Sequence, residues 1–161
     1  MDLTNLGVNG YTTDDLIREE LPAIARLRPT VTTLLIGAND VVIARDAETY
    51  GARLRAILGR LVQDRIAADH LVVISPPDWS GAPAATRFGD PARVARLVDQ
   101  YARVTREEAE RTGARFHDIV PLSRAQSERE LFATDRLHFS AQAYTEWAIA
   151  IDDAMRGWTL P

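Results

Sequence analysis

The sequence predicts an α/β domain built around a parallel sheet. Short apolar runs of strand length alternate with longer amphipathic stretches at helical spacing, the pattern of strands joined by crossover helices. Val31 to Ile36 is the clearest buried strand, apolar, β-branched at its start and ended by Gly37. The length, 161 residues, suits one domain with a sizeable core, spanning residues 1–161.

Leu3 to Val8 reads as a short first strand ending at Asn9-Gly10. Thr12 or Thr13 then caps a helix that opens with Asp14 and Asp15, acidic residues suited to a helix N-terminus. Leu16, Ile17, Leu21, Ile24 and Leu27 give it an apolar face, Pro22 should kink or split it, and Pro29 closes it. After the Val31–Ile36 strand, Asp46 caps a helix whose apolar stripe is Tyr50, Leu54, Ile57, Leu58, Leu61 and Val62. Leu71 to Ser75 is the next strand, stopped by Pro76-Pro77. Asp90-Pro91 starts another helix, with Val94, Leu97, Val98 and Tyr101 as its stripe and Gly113 as its stop. Arg115 to Ile119 is a last short strand. A loop follows, then a helix from about Ser140 to Arg156 presenting Tyr144, Trp147, Ala148, Ile151 and Met155. The irregular stretch Pro76 to Gly89 holds Trp79 and Phe88; it is long enough to be functional, or a solvated connection anchored by two aromatics.

Composition narrows the function. A net charge of −4 and a pI near 5.4 disfavour nucleic acid as a partner. All 19 basic residues are arginines, scattered along helix-like stretches rather than clustered. With no cysteine there is no thiolate nucleophile, disulfide framework or cysteine-based zinc site. His70 and His117 lie at a strand start and inside a strand, so no metal site is expected either. No apolar run reaches the ~18–20 residues that cross a bilayer. Met1-Asp2-Leu3-Thr4 lacks the basic and apolar stretches of a secretory signal, and a cytoplasmic location is the expectation.

In open α/β sheets ligands bind beyond the carboxyl ends of the strands. Asn9-Gly10, Gly37-Ala38-Asn39-Asp40, Ser75-Pro76-Pro77 and the later loop Asp135-Arg136-Leu137-His138 would converge there. An acid three residues before a histidine can accept the imidazole Nδ1–H and leave Nε2 as a general base. Taken alone, Asp135 and His138 also fit the commoner picture of an acid opening a turn and a histidine packed at a helix start. Asn39 could donate its amide to a developing oxyanion, or simply form an Asn-Asp turn. Gly10 could offer its N–H to the same anion, or be a turn glycine.

Together these segments resemble the SGNH (GDSL-like) hydrolase family. Asn5 to Thr13 looks like its second sequence block, whose glycine serves the oxyanion hole, here Gly10. Leu35-Ile36-Gly37-Ala38-Asn39-Asp40 resembles the third block, whose Gly-x-Asn-Asp supplies the oxyanion asparagine, here Asn39. Asp135-Arg136-Leu137-His138 resembles the fifth, whose Asp-x-x-His supplies two members of a Ser-His-Asp triad. Three weak motifs in the family's order reverse the odds for Asp135 and His138. The resemblance implies a three-layer α/β/α, flavodoxin-like sheet and hydrolysis of a small-molecule or lipid ester without a cofactor. Trp79 and Phe88 are candidates for acyl or alcohol contacts.

One block has no counterpart. The family's nucleophile sits in Gly-Asp-Ser at the end of the first strand, and none of Ser75, Ser80, Ser123, Ser127 and Ser140 follows Gly-Asp. In the sheet order 2-1-3-4-5 that strand is central, between the strands ending at Val8 and Ile36. Its loss would leave backbone groups unpaired and apolar faces bare. The expectation is therefore an N-terminally incomplete domain, inactive on esters and prone to aggregate, completed by an upstream strand that carries Gly-Asp-Ser. The rival readings are a non-catalytic binding domain that lost the serine and a flavodoxin-like phosphate binder; the second lacks a glycine-rich phosphate loop.

Overall fold

The computed structural model describes residues 3–156. Three strands, β1 (Thr32–Leu35), β2 (Leu71–Ile74) and β3 (Arg115–His117), form a parallel sheet in the order β1-β2-β3. Thr32 pairs with Leu71 and Val72 with Arg115. β2 is central and its four residues are buried. That explains an uninterrupted Leu-Val-Val-Ile where a half-exposed strand would alternate.

Helices fill the crossovers. α1 (Thr13–Asp15) runs through a π-helical turn, Leu16–Glu20, into α2 (Leu21–Leu27). Thr12 starts this run: the Asp15 carboxylate accepts its N–H at 2.9 Å and its hydroxyl at 2.6 Å. Pro22 does not split the run: residues 13–27 stay helical, and the π-helical turn lies just before the proline. It has no N–H to donate back to the preceding turn, and regular α-helix resumes with proline in its first turn. α4 (Ala47–Gln63), capped by Asp46 on the Thr49 N–H, packs along α5 (Pro91–Thr112). Tyr50 and Tyr101 stack at this contact with centroids 3.9 Å apart. Leu54, Ile57, Leu58 and Leu61 of α4 are buried in the core, at about 1.5–3 kcal/mol each. Val62, at the edge of the expected stripe, is exposed. α7 (Ala141–Met155) is capped by Ser140. No helix among the described residues is long and apolar enough to cross a membrane.

The structure corrects the sequence reading at four further places. Leu3 to Val8 is not a strand, and Leu3 and Val8 are exposed. In the expected order its neighbour would be the Gly-Asp-Ser strand, and a lone strand cannot satisfy its own backbone. Among the described residues β1 pairs only with β2 and is therefore an edge; Leu34 is buried, and Leu35 on the opposite face is exposed. Second, Ala38–Val42 is a short helix, α3, not a turn. Third, Val120–Glu128 is a helix, α6, where a loop was expected. Its buried face includes Ser123 and Gln126, so apolar periodicity could not reveal it. Gln126 accepts the Trp147 indole N–H at 2.6 Å and donates to the Ala143 carbonyl, tying α6 to α7. Fourth, the stripe expected on α7 is only partly covered; Trp147 is buried, whereas Tyr144 and Ala148 are exposed.

Candidate active site

The first cluster lies beyond the carboxyl end of β1. Gly37 enters α3 with φ +118°, and a Cβ there would come within 2.9 Å of the Tyr50 ring, so both conformation and space demand glycine. Tyr50 in turn donates its hydroxyl to the Ile36 carbonyl. α3 then presents Asn39, whose Nδ2 donates to the Tyr11 carbonyl at 3.0 Å. Tyr11 follows Gly10, which turns with φ +88° in open space. Asn39 and the Gly10 loop, 28 positions from Tyr11 to Asn39, are thus brought into contact by folding. One amide hydrogen of Asn39 holds the loop; among the described residues the other has no hydrogen-bond partner.

Asp40 was not singled out by sequence. It is fully buried and accepts the Thr13 N–H at 2.9 Å and the Thr13 hydroxyl at 2.6 Å. The Arg45 Nε lies 2.7 Å from its Oδ1 as a charge contact, since the N–H is out of line for a hydrogen bond. No signal in the sequence could have marked it, because its burial and its contact with Thr13, 27 positions away, arise only on folding.

The second cluster is the loop before α7. Phe132 and Phe139 form an antiparallel bridge, and the Ala133 N–H donates to the His138 carbonyl at 2.7 Å, closing the loop. Arg136 takes φ +63° to make the turn. Inside it, Asp135 Oδ1 accepts the N–H groups of Leu137 and His138, at 2.9 and 3.0 Å. Its Oδ2 lies 2.6 Å from His138 Nδ1. This leaves Nε2 as the ring nitrogen directed away from the acid. Both side chains are half exposed.

The Leu137 N–H above all, then the His138 ring and N–H, hold the Asp135 carboxyl at about 2 against an ordinary 3.8. Stabilisation from this loop is therefore complete above about pH 3.8 and is lost as pH falls through about 2. A carbon-13 titration should place the Asp135 midpoint near 2; a midpoint at the ordinary value would show that the N–H donors do not hold it.

Pro76 to Trp79, Ala82, Ala84 and Ala85 are buried, whereas Thr86 to Gly89 are exposed, so this stretch is packed at its start and solvated at its end. The Ala84 N–H donates to the Arg136 carbonyl, joining this segment to the Asp135–His138 loop. Trp79 lies beneath Phe88 in an edge contact at 5.7 Å, and Phe88 is exposed. Ser75 and Ser123 are buried with their hydroxyls committed: Ser75 donates to Asp118 and accepts from Ile119, while Ser123 donates to Val120 and accepts from Asp78. Among the described residues no serine hydrogen-bonds to His138. Among the described residues no hydrogen bond joins the Asn39 cluster to His138.

Comparison with known proteins gives one family and several solved folds. The model of the GDSL-like lipase/acylhydrolase family matches residues 1–145. No curated protein matches. Axe2, an acetylxylan esterase from Geobacillus stearothermophilus, superposes with a TM-score of 0.74 at 23% identity, covering 98% of this chain and 73% of its own. A lipase/acylhydrolase from Enterococcus faecalis gives 0.70 at 22% identity, covering 92% and 72%. The acetyl xylan esterase AlAXEase gives 0.72 at 16%, covering 92% and 78%. Solved forms of Axe2 include catalytic mutants at a serine, at an aspartate and at a histidine three positions after that aspartate.

Proposed function

Because this chain belongs to the GDSL-like lipase/acylhydrolase family, we propose that it forms most of a serine ester hydrolase whose nucleophile comes from a segment outside these 161 residues. The observation that carries the reading is the 2.6 Å contact of Asp135 with His138 Nδ1, which leaves Nε2 to act as base. The three-residue spacing is also that of the catalytic aspartate and histidine mutants of Axe2. In this mechanism the serine hydroxyl attacks an ester carbonyl while His138 Nε2 takes its proton. His138 then returns the proton to the leaving alcohol, and Asp135 stabilises the imidazolium. Water, deprotonated by the same nitrogen, releases the acid. The Gly10 N–H and the Asn39 amide receive the charge that develops on the carbonyl oxygen. Phe88, over Trp79, contacts the acyl or alcohol part. The substrate is a small-molecule or lipid ester, and a fold shared with acetylxylan esterases does not choose among esters.

The lack of Gly-Asp-Ser in the 161 residues favours a second reading, a binding domain without a nucleophile. Fluorophosphonate labelling separates the two. A polypeptide that adds the coding sequence upstream of Met1 should be labelled on one serine and hydrolyse p-nitrophenyl acetate, and residues 1–161 alone should do neither. Absence of label in the longer polypeptide would sink the hydrolase reading and leave the binding domain.

A further inference from the structure

We infer that Asp40 is a positioning residue that sets the Gly10 loop against Asn39. The inference rests on the oxyanion role proposed above and concerns how that pair is held. α3 is anchored in the core: Tyr50 donates to the Ile36 carbonyl, stacks on Tyr101, and fills the space that Gly37 leaves open. Tyr101 donates to the Arg45 carbonyl at 2.9 Å, just past the end of α3. The Gly10 loop is joined to that anchored element by side chains.

Two neighbouring side chains of α3 make that connection. Asn39 takes hold of the Tyr11 carbonyl, and Asp40 takes hold of Thr13 through both its N–H and its hydroxyl. The Asp40 grip is the stronger. It is buried, charge-assisted and two-point, and hydrogen bonds of that kind exceed a single neutral one. The ion pairs of Asp14 with Arg45 and Arg53, 2.6 Å each, also reach this segment, but they are more exposed and correspondingly weak. Burying a carboxylate is costly unless its oxygens are satisfied, and an apolar side chain could fill the same volume. An apolar residue could not hold the loop. The consecutive Asn-Asp pair thus divides the work: Asn39 presents the donor, and Asp40 keeps the Gly10 loop within its reach.

The test is nuclear magnetic resonance on the polypeptide that adds the coding sequence upstream of Met1, with no substrate present. Backbone order parameters at Gly10 and Tyr11 and the separation of the two Asn39 Nδ2 proton resonances report the loop; amide exchange at Leu71–Ile74 reports the core. In Asp40→Asn and in Thr13→Val, which removes only the hydroxyl, the order parameters should fall from about 0.85 toward 0.6 or below. The Asn39 resonances should converge while the β2 amides keep their protection, and Thr13→Ser should retain the parent values. If Asp40→Asn does not fold, Thr13→Val decides. An unchanged loop in Thr13→Val, or loop and β2 protection lost together, would overturn the inference. A successful fluorophosphonate reaction with an unchanged loop would remove this inference alone; a failed reaction with a loosened loop would remove the catalytic reading alone.

Discussion

Replacing His138 by alanine in the serine-bearing polypeptide is expected to lower ester turnover by about 10⁶-fold, the order of magnitude of losing a triad histidine. The local geometry makes the substitution clean. The Asp135–His138 loop is closed by backbone bonds and by Asp135 accepting the Leu137 and His138 N–H groups, none of which needs the imidazole. The side chain is half exposed, so alanine opens no cavity in the core. Asp135→Asn is the companion variant. Its amide oxygen can still accept the backbone donors, but its NH₂ would face Nδ1 and move the ring proton to Nε2. That is the wrong tautomer for a base, and a loss of about 10⁴-fold should follow. Steady-state kinetics on p-nitrophenyl acetate measures both. Turnover within tenfold of the parent in His138→Ala would rule His138 out as the base.

Asn39→Ala should cost about 10²- to 10³-fold in kcat, the usual loss of one oxyanion donor. The effect on stability should be small, about 1 kcal/mol, because only the hydrogen bond to Tyr11 is lost and Asp40 still grips Thr13. Asn39→Asp keeps the shape and replaces the donor with a negative charge, so it should be slower still. Urea denaturation alongside the kinetics separates a catalytic loss from an unfolding one. If Asn39→Ala leaves kcat intact, the oxyanion is held elsewhere.

Much of the fold was legible because its rules are local. Asp46, Asp90 and Ser140 mark helix starts with a side chain that accepts from the first turn, and each does so in the structure. Gly113 ends its helix with φ +80°. α6 was not legible, because its inward face carries Ser123 and Gln126, whose partners come from Asp78, Ala143 and Trp147. α3 was hidden by its length, five residues, too short for a period to register.

The site divides in the same way. Asp135 and His138 are three residues apart, so their contact follows from a turn that the local sequence can encode. Asp40 is 27 residues from Thr13, and nothing in either segment alone says that one grips the other. Leu3 to Val8 shows the converse: a strand pattern in sequence that is coil in the structure, since a strand needs a neighbour and, among the described residues, β1 pairs only with β2.

The sequence by itself determined the helix caps, the parallel α/β pattern, the Asp-x-x-His turn and the lack of a Gly-Asp-Ser serine, because each depends on residues within a few positions of one another. Only the tertiary structure decided that Leu3–Val8 stays unpaired, that β1 is an edge, and that Asn39 and Asp40 clasp the Gly10 loop. Those outcomes depend on hydrogen-bond partners far apart in the chain, and folding alone brings such partners together.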